Sequence, residues 1–418
     1  MLPKIKKFRI NKLFGYKNVN IDFDSGVMIL VGENGVGKTT ILNVLYYTLS
    51  TKFEKLIDID FHSIELFFNS GNHIVISKED LVSVEPFNKL NPNEITINNN
   101  KIVFSANEYS KNYLTEVKNT KKSTQISFNL DKLFEDINER NQRIEKQKSM
   151  ILSEFNMNII FLPTYRRVEE DLHKLGIENY KSEFIQFGMA DVEKAILTIT
   201  QQIKDSAIQW YSKINGEMLA ELVTGIKVTP EMRNSIQTDT LKIVLDRVGD
   251  NISDELKQSI DILLENERLF NGEYDPLIYF LSNLIKVYQK QRKYDERIQQ
   301  FVKVCNNYLR NKLTYDESKV EILFKQHGKD IKLTNLSSGE KQIVSLFSKI
   351  YLDSNKDFII LFDEPELSLS IDWQQKLLPD IIGSSRCKFM FVVTHSPFIF
   401  DNELDNDARS LSSYISEE

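Results

Sequence analysis

Three kinds of hydrophobic pattern recur along the chain, and each predicts a different element. Residues 4–10 and 18–23 alternate apolar and polar side chains, the period of a half-buried strand, and read as an antiparallel pair. Val27-Met28-Ile29-Leu30-Val31 is a continuous apolar run, as expected of a strand covered on both faces. A glycine-rich loop follows it, then a helix from about Lys38 to Ser50. Residues 63–78, 94–104 and 124–129 read as strands punctuated by turn signals such as Asn69-Ser70-Gly71-Asn72, and 130–154 as a charged helix. Asn158-Ile159-Ile160-Phe161-Leu162 is another buried strand, stopped by Pro163.

From about 168 to 312 the period turns helical and Gly and Pro become scarce. Residues 318–324 and 330–333 return to strand, and 338–352 form a helix. Phe358-Ile359-Ile360-Leu361-Phe362 is a buried strand, 371–382 a helix, and Phe389-Met390-Phe391-Val392-Val393 a last buried strand. Two strand-rich halves around a helical stretch predict an α/β fold: a mixed sheet with flanking helices and an antiparallel β subdomain, split by an inserted helical or short coiled-coil domain. The expected boundaries are 1–165 for an N-terminal lobe, 166–312 for the insertion and 313–418 for a C-terminal lobe.

Composition narrows the class. At 418 residues the chain can bury a large core, and 41% hydrophobic with 27% charged residues fits a soluble globular protein. No apolar run reaches the ~18 residues of a membrane span. The start, Met1-Leu2-Pro3-Lys4, leads into charge rather than a secretory signal, and Cys305 and Cys387 form no spaced set, so a reducing cytoplasm is expected. The five histidines are scattered. A net charge of −7 argues against a protein coated in nucleic acid, yet residues 4–17 and 286–312 are strongly basic. Those runs suit either a phosphate backbone or a solvated face.

Candidate chemistry begins at Gly32-Glu33-Asn34-Gly35-Val36-Gly37-Lys38-Thr39, which fits the phosphate-loop spacing and lies where that motif must, between a buried strand and a helix that continues through Thr40. Backbone N–H groups freed by the glycines close around phosphates, and the helix N-terminus adds positive charge. Lys38 is expected on the β/γ-phosphates of ATP, and Thr39 on Mg²⁺. Asp363, at the tip of an apolar strand, is the second expected Mg²⁺ ligand, and Glu364 the base for an attacking water. His395, in Thr394-His395-Ser396 at the end of the last strand, is placed to bond a γ-phosphate oxygen. Leu336-Ser337-Ser338-Gly339-Glu340-Lys341-Gln342 opens a helix with two hydroxyls and a glycine. One head has no second phosphate for this anion site, so Ser337, Ser338, Gly339 and Glu340 are expected to face the γ-phosphate held by another copy. Arg166 either faces phosphate or is salt-bridged, and Phe14 or Tyr16 either stacks on adenine or packs in the core.

Taken together, GENGVGKTT, LSSGEKQ, FIILFDEPE and VVTHSP resemble the ABC-type ATPase heads of the Rad50, SMC, RecF and OLD group. The resemblance covers roughly 1–165 and 312–400. It implies ATP sandwiched between two heads, signature against phosphate loop. The usual signature is LSGGQ; Ser338 and Glu340 depart from it as in OLD-like members. Glu366-Leu367-Ser368-Leu369-Ser370 has serines where the group often has histidines, and with Asp372 falls in the loop expected to cross the pair. The insertion lacks long heptads, and no OLD-type nuclease segment follows His395. The short-insert form, with FLPTYRR and THSPFIFDNEL, is similar to the ATPase subunits of bacterial anti-phage systems, the AriA kind of PARIS and next the PtuA kind of Septu.

The resulting expectation is a cytoplasmic ATPase that forms homo-oligomers, at least head-to-head pairs, and controls a separately encoded effector nuclease, TOPRIM-type or else HNH-type, in response to a phage trigger. Two other readings stay open. One is an ATP-clamped scaffold with negligible turnover; the other is a RecF- or Rad50-like ATPase that binds DNA.

Overall fold

The computed structural model describes residues 5–33, 35–82, 95–98, 101–104, 130–155, 157–164, 188–249, 252–310, 312–353 and 356–417. In chain order, β1 (Ile5–Leu13), β2 (Lys17–Asp22) and β3 (Val27–Val31) lead to α1 (Lys38–Leu49), followed by β4 (Ser63–Phe68), β5 (His73–Ser77), β6 (Ile95–Asn98) and β7 (Lys101–Phe104). Helix α2 (Leu130–Glu154) precedes β8 (Asn158–Leu162), and the helical stretch contains α3 (Met189–Thr224), α4 (Thr238–Val248), α5 (Asp254–Glu265) and α6 (Asp275–Leu309). Strands β9 (Leu313–Asp316), β10 (Glu321–Gln326) and β11 (Lys329–Asp330) come before α7 (Ser338–Ser348), β12 (Phe358–Asp363), α8 (Ile371–Ile382), β13 (Cys387–Thr394), β14 (Ala408–Ser410) and β15 (Ile415–Glu417). These elements form two compact units: 1–163 with 357–365 and 387–418, and 164–356 with 366–386.

The first unit is built on two five-stranded sheets. One is parallel throughout, in the order β14-β3-β13-β12-β8. Its strands are the continuous apolar runs, and all six residues of β12 are buried, as a strand covered on both faces requires. The other sheet, β15-β2-β1-β4-β5, is antiparallel and carries the alternating segments. Helix α1 buries Ile41, Leu42, Leu45 and Leu49, and Phe23 meets Phe389 and Phe391 edge-on in the same core. In the parallel sheet Val31 pairs with Thr394, and Asp363 with Val393. The carboxyl ends of three adjacent strands therefore open side by side, the usual place for a ligand in such a sheet.

The second unit is mainly helical. Its core lies among α4, α5 and α6, with Leu241, Leu245, Ile260, Ile278 and Ile285 buried. Strands β9, β10 and β11 form an antiparallel meander. The helix expected over 338–352 is α-helical only to Ser348 and then widens into a π turn over Lys349–Asp353. The strand expected at 330–333 is β11 and then a 3-10 turn over Leu333–Asn335. The strand expected at 124–129 lies outside the described residues.

Candidate functional site

Residues from three strand ends meet in the first unit. After β3 the chain turns through Gly35 (φ 81°) and Gly37 (φ 105°), a left-handed conformation that side chains resist. A Cβ on Gly37 would also touch the Phe14 ring at 3.4 Å. Gly37 then caps α1 with no side chain of its own, leaving the first N–H groups of the helix directed at whatever enters the loop. Lys38 is buried, at 5% exposure, and its Nζ donates to the carbonyls of Gly32 (2.6 Å) and Glu33 (2.9 Å). The same Nζ lies 2.6 Å from His395 Nε2. An ammonium has no lone pair, so this ring nitrogen is the acceptor.

Thr39 Oγ1 donates to Asp363 Oδ2 at 2.9 Å, bringing helix α1 to the tip of β12. Asp363 is 1% exposed. A hydroxyl beside a buried carboxylate is a hard-oxygen donor pair, and Mg²⁺ takes few protein ligands, filling its remaining positions with water and phosphate. The residues present fit that ion, and Thr39 and Asp363 would be its protein ligands. Among the described residues no cluster of three or more His, Cys, Asp or Glu is placed to hold a metal ion.

Glu364 takes φ 47°, left-handed for a residue with a side chain, and its N–H donates to Val393 O at 2.9 Å. Such backbone strain concentrates at functional sites. The turn brings Glu364 Oε1 within 3.6 Å of His395 Nε2. Lys38, Thr39, Asp363, Glu364 and His395 thus form one connected group, although they span 357 positions from first to last. A cavity of ≈ 510 Å³ opens beside it, lined by Val31, Gly32, Glu33, His395, Phe400 and Arg409.

Phe14 and Tyr16 are not core residues. The β1–β2 turn puts Phe14 at φ 56°, and the two rings are 42% and 45% exposed. Phe14 leans on the phosphate loop through its contact at Gly37, in keeping with a stacking role. Asn34 and Arg166 lie outside the described residues. Val36 packs against the unit's core, and Thr40 is half-buried in the first turn of α1.

The Ser337–Glu340 motif sits in the second unit and forms a complete capping box. The Ser337 hydroxyl accepts from Glu340 N–H, and Glu340 Oε2 accepts from Ser337 N–H at 2.9 Å. Lys312 Nζ donates to Glu340 Oε1 at 2.5 Å. Burial works against this carboxylate, but Lys312 and the Ser337 hydrogen bonds outweigh it and hold its pKa below the ordinary value. Ser337 and Ser338 remain exposed. Gly339 is required sterically: a Cβ there would stand 2.7 Å from Ser368 O and 3.2 Å from Trp373 Cζ3. Ser368 itself is left-handed, at φ 70°. Lys312 and Trp373 are therefore parts of the motif's setting that the sequence reading missed. No local pattern links them to it.

A family model described as "AAA ATPase domain" matches residues 4–400. No curated protein matches the chain. Among solved structures, the chain is similar to an Smc head bound to the C-winged helix domain of ScpA, with 13% identity over 95% of this chain and 91% of that one and a TM-score of 0.36. A second is an Smc head domain with an extended coiled coil bound to the C-terminal domain of ScpA, derived from Pyrococcus furiosus, with 14% identity, the same coverage of each chain and a TM-score of 0.36.

Proposed function

The chain belongs to the AAA ATPase domain family, and from that premise we propose that it binds Mg²⁺-ATP on the Gly32–Thr39 loop and hydrolyses it with Glu364 as the base. The observation that carries this reading is the connected group of Lys38, Thr39, Asp363, Glu364 and His395 at the open end of one parallel sheet. When nucleotide enters, Lys38 exchanges the Gly32 and Glu33 carbonyls for β/γ-phosphate oxygens. Thr39 and Asp363 would hold Mg²⁺, which supplies charge neutralisation on those phosphates. Glu364 takes the proton of the attacking water, and His395 keeps Lys38 and Glu364 in register.

The proposal extends to a pair of heads. The Ser337 and Ser338 hydroxyls and the first N–H groups of α7 in one copy face the γ-phosphate held by the other. Capture or release of a separately encoded effector nuclease is the proposed output, in an anti-phage role like that of the AriA kind of ATPase and, next, the PtuA kind. The support for this output is the sequence resemblance. The DNA-binding reading is favoured by one observation: Lys286, Lys290 and Lys293 recur at helical spacing on the exposed side of α6.

The test is steady-state ATP turnover by the full chain and by Glu364→Gln. The variant is expected to bind ATP normally and lose about 10²–10⁴-fold in rate. Turnover at the wild-type rate sinks the base assignment, and a wild-type chain that binds ATP without turnover favours the clamp. Salt-sensitive DNA binding abolished by charge reversal at Lys286, Lys290 and Lys293 would favour the third reading.

A further inference from the structure

The cavity of ≈ 510 Å³ beside the phosphate loop has a wall that the proposed chemistry does not use. Besides Gly32, Glu33 and His395, it is lined by Ala408, Arg409 and Ser410 of β14. Strand pairing places these residues: Arg409 lies on Leu30, and Ser410 on Val31 at the end of β3. Leu411 follows them, fully buried, 3.4 Å from where a Cβ on Gly32 would stand. Strand β15 then fixes the far end of the segment on β2, with Ile415 on Val19. A side chain carried on a strand of the sheet is placed more firmly than one on a loop.

Arg409 is exposed, and its Nη1 donates to two carbonyls of its own segment, Asn406 O at 2.6 Å and Ala408 O at 2.8 Å. These bonds orient the guanidinium plane. Among the described residues no protein acceptor stands on its Nε or Nη2, and no carboxylate pairs with it. A planar fork held in this way is suited to phosphate oxygens.

The loop itself tells which part of a nucleotide reaches the cavity. Phe14, the ring suited to adenine, touches the loop at Gly37 and is not part of the cavity wall. His395 is part of that wall, and it stands 2.6 Å from Lys38 Nζ. The cavity is therefore at the terminal-phosphate end of the Mg²⁺-ATP proposed above. A phosphate entering there meets the Glu33 carboxylate, and Arg409 is the cation of the wall that offsets it.

We propose that Arg409 binds the γ-phosphate of ATP and makes the site distinguish ATP from ADP. The inference rests on the Mg²⁺-ATP reading of the same loop. The arginine belongs to the same chain as Lys38, so it acts without a second head. During hydrolysis it neither takes nor gives a proton. Water adds to the γ-phosphorus, the bond to the β-phosphate oxygen breaks with its electron pair leaving on ADP, and Glu364 accepts the water's proton. Arg409 neutralises charge on the γ-phosphate oxygens throughout.

The experiment titrates the full chain, in Mg²⁺, with ADP and with the β,γ-imido analogue of ATP. Arg409→Ala is expected to bind the analogue about 10–100-fold more weakly and ADP within about twofold of wild type. Arg409→Lys should recover part of the preference, since it keeps the charge and loses the fork. Free guanidinium ion should restore part of the turnover that Arg409→Ala loses. Leu411→Ala is the structural comparison: it loosens the packing on Gly32 and should weaken both nucleotides alike. The assignment is overturned if Arg409→Ala keeps the wild-type preference for the analogue, or if it loses ADP and analogue by the same factor as Leu411→Ala does. The two proposals fail separately. A wild-type chain that binds neither nucleotide removes the Mg²⁺-ATP reading, and Arg409 with it. A wild-type chain that prefers the analogue, beside an Arg409→Ala chain that prefers it equally, removes Arg409 alone.

Discussion

Lys38 Nζ and His395 Nε2 stand 2.6 Å apart, so the phosphate-loop lysine and the histidine at the end of β13 share one hydrogen bond. The ring also lies 3.6 Å from Glu364 Oε1. His395 is therefore the bridge between the group proposed to hold phosphate and the group proposed to activate water. Replacing it with alanine is expected to cut turnover by about 10²–10³-fold, the usual cost of one lost transition-state donor. Equilibrium binding of a fluorescent ATP analogue should change little, because Lys38 keeps its other contacts. Lys38→Met should abolish that binding. A His395→Ala chain with normal turnover would remove the bridge from the mechanism.

Gly339 makes a steric prediction. The carbonyl of Ser368 occupies the space 2.7 Å from where its Cβ would stand, and backbone cannot rotate away as a flexible side chain would. Gly339→Ala should destabilise the second unit by about 1–3 kcal/mol through overpacking. A thermal melt should register a lower midpoint, and ATP binding to the phosphate loop should persist while turnover falls. An unchanged melt would show that α7 shifts without cost.

Glu340 makes a prediction about pH. Burial raises its pKa, while Lys312 and Ser337 lower it by more, so the folded value lies below the ordinary 4.5. A depressed carboxylate contributes stability that is fully present above its unfolded pKa and is lost as pH falls through the folded one. Glu340→Gln can keep the capping box but forfeits the Lys312 ion pair. Its melting midpoint should therefore fall below wild type at pH 7, and the gap should close below about pH 4.5. A gap that widens in acid would contradict the assignment.

Patterns confined to one element were legible, and pairings between elements were not. The strands Val27–Val31 and Phe358–Asp363 could be read because burial on both faces leaves them apolar throughout, up to Asp363 at the tip of the second. The phosphate loop was legible because its backbone geometry demands glycine at 35 and 37. By contrast, β14 and β15 are three residues each, and partner register defines them, Ala408 on Ile29 and Ile415 on Val19. No periodicity survives in three residues. Phe14 and Tyr16 were ambiguous because an aromatic ring in a turn follows the backbone that lifts it, and φ 56° at Phe14 leaves no trace in composition. Lys312 reaches Glu340 across 28 positions, and charge alone cannot choose that partner among 60 acidic residues.

The same limit hid the ion pair that ties the helical unit together, and it supports the sharpest stability prediction. Arg247 of α4 and Asp295 of α6 meet at 2.6 Å with side chains only 6% and 1% exposed. Arg247 also donates to Glu317 O at 2.9 Å, and the Tyr315 hydroxyl donates to the same Asp295 oxygen. Asp295 Oδ2 is buried with no hydrogen-bond partner among the described residues, and burial pushes the Asp295 pKa up despite Arg247. Burial and the Glu317 hydrogen bond push the Tyr288 hydroxyl up to about 12. The network depends on its cation. Arg247→Met should cost about 3–5 kcal/mol at pH 7, because it leaves a carboxylate buried without compensation. Adding Asp295→Leu should recover most of that loss, since an apolar pair has no charge to desolvate. The single variant should also regain stability in acid. The folded pKa of Asp295 lies above its unfolded value, so the folded state binds the proton first and gains as pH falls between them. Chemical denaturation of the wild type, the single and the double variant at pH 7 and pH 5 measures all three terms. Equal losses in the single and double variants would mean that packing, not charge, holds α4 to α6.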